Sequence, residues 1–408
     1  MRLGAGAIFC MVVLLSIGAW ASGPTFKVIY TFQGYPTDGS APWDVGTLLR
    51  DAVGNIYGTT RDGGSIDCNG TTGGTLFELS SSGTETVLHD FGQGVPCGQD
   101  GLVPQGAVAM DSSGNLYGTT AGGGPGDCGA VWEWESSSST LIDLATFNCS
   151  EGAGPVSGVV MDKSGNLYGT AVAGGSGNGI VYEVSSGVLS VLYTFTGGSD
   201  GGVPRSGLVM DSQGNLYGMT YTGGAHSDGT VFELSQSGGV WTEKVLHSFS
   251  SSTTDGSFPS YGNLTLAGSP LGNVIYGMTE YGGSVNGGTV FKMVKKTKGY
   301  AFTLLHSFTG SGGDGLNPYA TLAPLKGKLY GTTGGGGTSG YGTVFELTPG
   351  STGWTETILY NFTNGTDGSN PIAGLAADTK GNLYGTAIDG GSFAACSQGC
   401  GVVFKVHP

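Results

Sequence analysis

Residues 207–249 read GLVMDSQGNLYGMTYTGGAHSDGTVFELSQSGGVWTEKVLHSF, and their pattern decides the fold. Four short runs stand out: GLVMD from Gly207, NLYGMT from Asn215, TVFEL from Thr230 and VLHSF ending at Phe249. Each is rich in Val, Leu, Phe or Tyr and is bounded by Gly, Asn, Asp or Ser. Runs of that length and composition, set off by turn formers, read as β-strands. The link from GLVMD to NLYGMT is a tight D-x-x-G-N turn, and a short polar turn joins VFEL to VLHSF. Four strands in meander order follow.

The unit recurs along the chain. The LYG or IYG tyrosine appears seven times, at Tyr57, Tyr117, Tyr168, Tyr217, Tyr276, Tyr330 and Tyr384, with spacings of 60, 51, 49, 59, 54 and 54. VLHSF-like runs end at Phe32, Phe91, Phe147, Phe195, Phe249, Phe308 and Phe362. Seven four-stranded units at such a period predict an all-β, seven-bladed β-propeller; an open solenoid is the rival architecture. The chain begins with a VLHSF-type strand (26–32) and ends with a VFEL-type strand (Gly401 to Val406). Those two types pair through a short hairpin elsewhere, so the N-terminal strand is expected to complete the C-terminal blade. That closure leaves no loose sheet edge.

The run G-N-L-Y-G-T-T-x-x-G-G followed by G-T-V-F-E-L resembles the GloVer tandem repeat of bacterial secreted and surface proteins, called choice-of-anchor for their differing C-terminal tails. The resemblance spans residues 26 to 406. It implies a bacterial surface or secreted protein and brings no assigned activity or catalytic residues. The chain stops at Pro408 without such a tail, which implies release rather than anchoring. The blade order is also similar to NHL-type and gluconolactonase-type propellers, an analogy of fold alone.

The ends and the charge set the compartment. Arg2, the apolar run over residues 8 to 18 and Ala19-Trp20-Ala21 fit a signal peptide over residues 1–21. One propeller domain over residues 22–408 remains, with no membrane span in the mature chain. Losing Arg2 takes the net charge from −15 to −16. So acidic a protein is repelled by nucleic acid and anionic membranes, and neither is expected as a partner. The expected location is secreted, extracellular or periplasmic.

Six cysteines remain in the mature chain: Cys68, Cys97, Cys128, Cys149, Cys396 and Cys400. Cys68 and Cys128 lie between NLYGTT and VFEL; Cys97 and Cys149 lie in the loop leaving VLHSF. A meander blade puts those loops at one end, so the expected disulfides are Cys68–Cys97, Cys128–Cys149 and Cys396–Cys400, with a zinc site as the alternative.

Little points to chemistry. His89, His247 and His306 share one repeat position with Tyr30, Tyr193 and Tyr360, which puts them in different blades and excludes a shared metal. An acid follows each VLHSF run (Asp38, Asp100, Glu151, Asp200, Asp255, Asp314, Asp367) and a proline follows it. Asx-type turns explain this; calcium at these loop carboxylates is the alternative, and no other cofactor is expected. The VFEL glutamates share their slot with Lys292 and Lys405, which reads as a solvated position. No G-x-S-x-G elbow and no H-E-x-x-H occurs.

Regular positions hold a repeat fold, so a site belongs where the copies differ. The residue after each loop proline varies most: Trp43, Gln105, Val156, Arg205, Ser260, Tyr319 and Ile372, with Asp44 and Tyr261 one step further on. These begin the innermost strands, at the mouth of the central channel. Trp43, Asp44, Gln105, Arg205, Tyr261 and Tyr319 are the candidate ligand-binding residues, and no catalytic set is expected. The sequence thus reads as a secreted, non-catalytic binding propeller that recognises polysaccharide or a surface protein. A secreted hydrolase, lactonase or lyase acting on a carbohydrate-type substrate is the alternative.

Overall fold

The structure, a computed structural model, describes residues 23–43, 46–68, 70, 72–94 and 97–408. The expected signal segment lies outside them. Seven four-stranded antiparallel sheets form the blades of a propeller. Blade 4 is typical: Val209–Met210, Leu216–Thr220, Thr230–Ser237 and Val240–Ser248, in that spatial order. Its two middle strands are buried along most of their length, because each blade is sandwiched between two others. Apolar and threonine residues on both faces of these strands are the consequence.

Blade 7 shows the closure. Its sheet runs from Ala376–Ala377 through Leu383–Ala387 and Val402–His407 to Thr25–Thr31. Thr25 pairs with His407 and Thr31 with Val402. The first and last strands of the described residues are therefore held in one sheet, which an open solenoid would not require.

The core lies at the seams between blades. The Phe that ends each VLHSF run packs on the VFEL aromatic of the following blade: Phe195 on Phe232 at 5.2 Å, Phe249 on Phe291 at 5.4 Å, Phe362 on Phe404 at 5.2 Å. Phe32, from the N-terminal strand, packs on Phe77 of blade 1 at 5.2 Å and completes the circuit. The loops stitch the seams as well. Val203, just before Pro204, has a left-handed φ of 54°. Its N–H donates to Asn178 O in the preceding blade at 2.7 Å, and its carbonyl accepts from Tyr221 N at 3.1 Å. Left-handed backbone is costly for a β-branched residue, yet Val103 at the matching site also has a φ of 60°. The bond across the seam to Asn178, the bond from Tyr221 of its own blade and the proline hold it there.

The glutamate slot departs from the solvated position expected of it. Glu133, Glu183 and Glu233 accept from Tyr117, Tyr168 and Tyr217 at 2.9, 2.8 and 3.0 Å. The same phenols reach the turn aspartates, as Tyr217 does Asp211 at 3.1 Å. Where the slot holds lysine, Lys292 and Lys405 lie 5.7 Å from the ring centres of Tyr276 and Tyr384. The slot accepts either sign because tyrosine offers a hydroxyl to an acid and a π-face to a cation.

All three expected disulfides are present. Cα–Cα separations are 5.7 Å for Cys68–Cys97, 5.4 Å for Cys128–Cys149 and 5.2 Å for Cys396–Cys400.

Candidate functional site

The innermost strands crowd the axis. Asn263, entering blade 5, accepts from Gly207 N of blade 4 at 2.7 Å. A Cβ placed on Gly46 of blade 1 would meet Ala107 Cβ, at the entry to blade 2, at 2.8 Å and Asn263 Nδ2 at 3.4 Å. Any side chain at Gly46 would push into this packing. The mouth above it opens into a cavity of about 260 Å³ lined by Trp43, Arg205, Tyr221, Tyr261, Glu280, Tyr319, Asn370 and Ile372.

Four candidates from the sequence, Trp43, Arg205, Tyr261 and Tyr319, therefore share one cavity. Gln105, at the matching position of blade 2, does not line it, and Asp44 lies outside the described residues. The four are partly buried and in mutual contact. Trp43 meets Tyr261 edge-on at 6.0 Å, and Tyr261 lies 6.4 Å from Tyr319. The Arg205 guanidinium sits 3.9 Å from the ring centre of Tyr221 and 5.7 Å from that of Tyr261. Stacking of this kind holds the charge while leaving its in-plane donors for a ligand.

Glu280 supplies the acid. Its residue is 7% exposed, and its Oε1 accepts from Tyr319 OH at 3.1 Å. The carboxylate raises the pKa values of its phenol neighbours. The hydrogen bond to Glu280, with burial second, pushes Tyr281 up to about 12. Burial first and Glu280 second push Tyr319 up as well. Both phenols remain neutral donors at physiological pH.

Two lining residues reveal a second variable row. Tyr221 and Glu280 each follow the NLYGTT strand, at a position filled elsewhere by Arg61, Ala121, Val172, Gly334 and Ile388. This row varies as much as the one after the prolines, and the bond from Tyr221 N to Val203 O, within one blade, sets the end of the NLYGTT strand beside the proline loop, so that the two rows face one mouth. Asn370 precedes its proline and has a left-handed φ of 56°.

The loop acids face their own blades. Asp38 accepts from Gln33 N, Gly39 N and Tyr30 OH at 2.7, 2.6 and 2.8 Å. Asp367 likewise accepts from Thr363 N and Tyr360 OH at 2.9 and 3.1 Å. Among the described residues, His306, Asp314 and Glu356 form a group whose ligand atoms lie within 4.8 Å of one another. His306 and Glu356 lie on outer strands and Asp314 in the loop that follows the first of them, and none of the three lines the mouth cavity. No helix among the described residues is long and apolar enough to cross a membrane.

The chain is similar to solved structures at low identity. An ancestral GH74 enzyme has a TM-score of 0.53 at 14% identity, over 92% of this chain and 50% of that one. A gluconolactonase from Xanthomonas campestris has a TM-score of 0.44 at 12% identity, over 94% and 89%. TolB from Acinetobacter baumannii has a TM-score of 0.43 at 13% identity, over 76% and 65%. The chain thus spans half the length of the GH74 enzyme and just under two thirds of TolB. No curated protein matches it in sequence. Three overlapping segments, residues 4–213, 72–291 and 176–404, match the Gloeobacter/Verrucomicrobia repeat. They cover nearly the whole propeller, and the chain belongs to the Gloeobacter/Verrucomicrobia repeat family.

Proposed function

We propose that the chain is a secreted, non-catalytic binding propeller that takes carbohydrate into the mouth cavity. What carries this reading is the convergence of Trp43, Tyr221, Tyr261 and Tyr319 with Arg205, Glu280 and Asn370 around about 260 Å³. Flat aromatic faces suit the apolar side of a sugar ring, and the guanidinium, carboxylate and amide suit its hydroxyls. The volume lies near the lower end of the roughly 300–1,000 Å³ usual for small-molecule sites, which favours one or two rings at a chain end. Glycoside hydrolysis uses a pair of carboxylates across the scissile bond; Glu280 is the single acid among the described lining residues. Calcium has no part in this reading; Asp38 and Asp367 already accept from N–H and tyrosine donors of their own loops and strands. Three disulfides suit an oxidising compartment outside the cytoplasm, in keeping with cleavage of a signal peptide after Ala21.

A glycan array probed with the purified protein tests the reading. The triple change Trp43→Ala, Tyr261→Ala and Tyr319→Ala should abolish binding of any glycan that the wild type retains, while the circular dichroism stays that of a propeller. Binding that survives the triple change defeats the proposal. So does an array with no hit, and capture of a protein partner by the same face would then take its place.

A further inference from the structure

We propose that the seam between blades 5 and 6 binds zinc, or a closely similar first-row divalent cation, through His306, Asp314 and Glu356. The sister seams show what this one lacks. At this repeat position, in every blade but the second, which has Ala145, a His or Tyr faces the acid of its own loop, and a residue from the next blade's outer strand lies beside the pair. His89 closes on Asp100 at 2.8 Å and His247 on Asp255 at 3.1 Å. Tyr193 donates to Asp200 at 3.1 Å. Two seams are capped by rings: Phe302 stacks on His247 at 4.2 Å and Phe26 on Tyr360 at 3.5 Å.

At His306 the pair is open. Nε2 lies 3.5 Å from Asp314 Oδ1 and 3.8 Å from Glu356 Oε2, too far for good hydrogen bonds. His306 Nε2, Asp314 Oδ1 and Glu356 Oε1 are each closed off from solvent without a hydrogen-bond partner. Three orphaned polar atoms in one place are costly unless something joins them. Zinc bonds of about 2.1 Å in a tetrahedron hold neighbouring ligand atoms about 3.4 Å apart, close to the separations seen here.

The ligands are braced for that task. Asp314 spends its other oxygen on Thr309 N and Thr309 Oγ1, both at 2.7 Å, which aims Oδ1 at the histidine. Phe308 packs edge-on against the His306 ring at 4.6 Å. Support of this kind fixes ligand orientation. One imidazole with two carboxylates suits zinc better than calcium, which prefers oxygen alone. The side chains of His306, Asp314 and Glu356 are 18%, 14% and 13% exposed, so a water can complete the fourth position. Asp314 and Glu356 come from neighbouring blades, and a bound ion would clamp them. The competing occupant is a proton shared between the two carboxylates.

The test uses the full chain without a histidine tag, stripped with chelator and titrated with zinc by calorimetry, with calcium in parallel. One equivalent of zinc should bind with at least tenfold preference over calcium, and cobalt should give the intense visible bands of a tetrahedral site. His306→Tyr and Glu356→Phe install residues that sister seams already carry, so both should fold and both should lose the site. Absence of stoichiometric zinc binding overturns the proposal in favour of the shared proton. Binding that persists in both variants overturns it too, by placing the ion elsewhere.

Discussion

Glu85 and Glu243 hold the same repeat position as Glu356, each reaching from its outer strand toward the preceding blade. Burial first, and then the carboxylate of Asp38, pushes Glu85 up to about 7. Burial and Asp200 do the same to Glu243. A carboxyl whose folded value is raised favours the protonated native state. Its contribution is fully present below the ordinary glutamate value near ~4.3 and is lost as pH rises through about 7. Glu85→Gln combined with Glu243→Gln keeps the neutral shape and removes the charge. Melting at pH 8 should rise by about 1–2 °C over wild type, with little change at pH 5. Equal shifts at both pH values would show that the side chains act by packing alone.

At the scale of the element, the unit that matters is the outer strand and the aromatic at its end. Phe249 is fully buried and touches Phe291 of the next blade. Phe249→Ala should cost about 3–5 kcal/mol, measured by denaturant unfolding, whereas Val240→Ser at the exposed hairpin tip of the same strand should stay within ~0.5 kcal/mol. Comparable losses from both would mean that the seams do not carry the core. Strands and their order within a blade were legible because each is written seven times, and closure followed because the short hairpin that pairs the last two strand types elsewhere leaves one partner for the strand at each end. The mouth was only half legible. Trp43, Arg205 and Tyr319 follow from the row after the prolines and Tyr261 from the next position, but Tyr221 and Glu280 belong to the row after NLYGTT. A repeat shows which positions vary; it does not show that two varying rows from different strands meet at one mouth. The glutamate slot escaped for a related reason: a position open to both charges looks solvated until its tyrosine neighbour is in view.

For the whole molecule, closure is the feature on which stability depends. Removing residues 23–33 takes away the strand Thr25–Thr31 and Phe32 together, leaving Val402–His407 as a bare edge and Phe77 without its partner. The truncated protein should lose a large part of its thermal stability and gain a tendency to associate through that edge. Calorimetry beside light scattering reads both, and a truncated protein that melts like the full chain and stays monomeric would refute the role given to closure. The pairing of Thr25 with His407 also fixes an orientation. In the antiparallel blade, Thr25 opens its strand and His407 closes the neighbouring one at the same end, opposite the loops that form the mouth. Whatever is fused or tethered at either terminus departs from the underside, so a protein moored there presents its cavity outward like a cup set on its base.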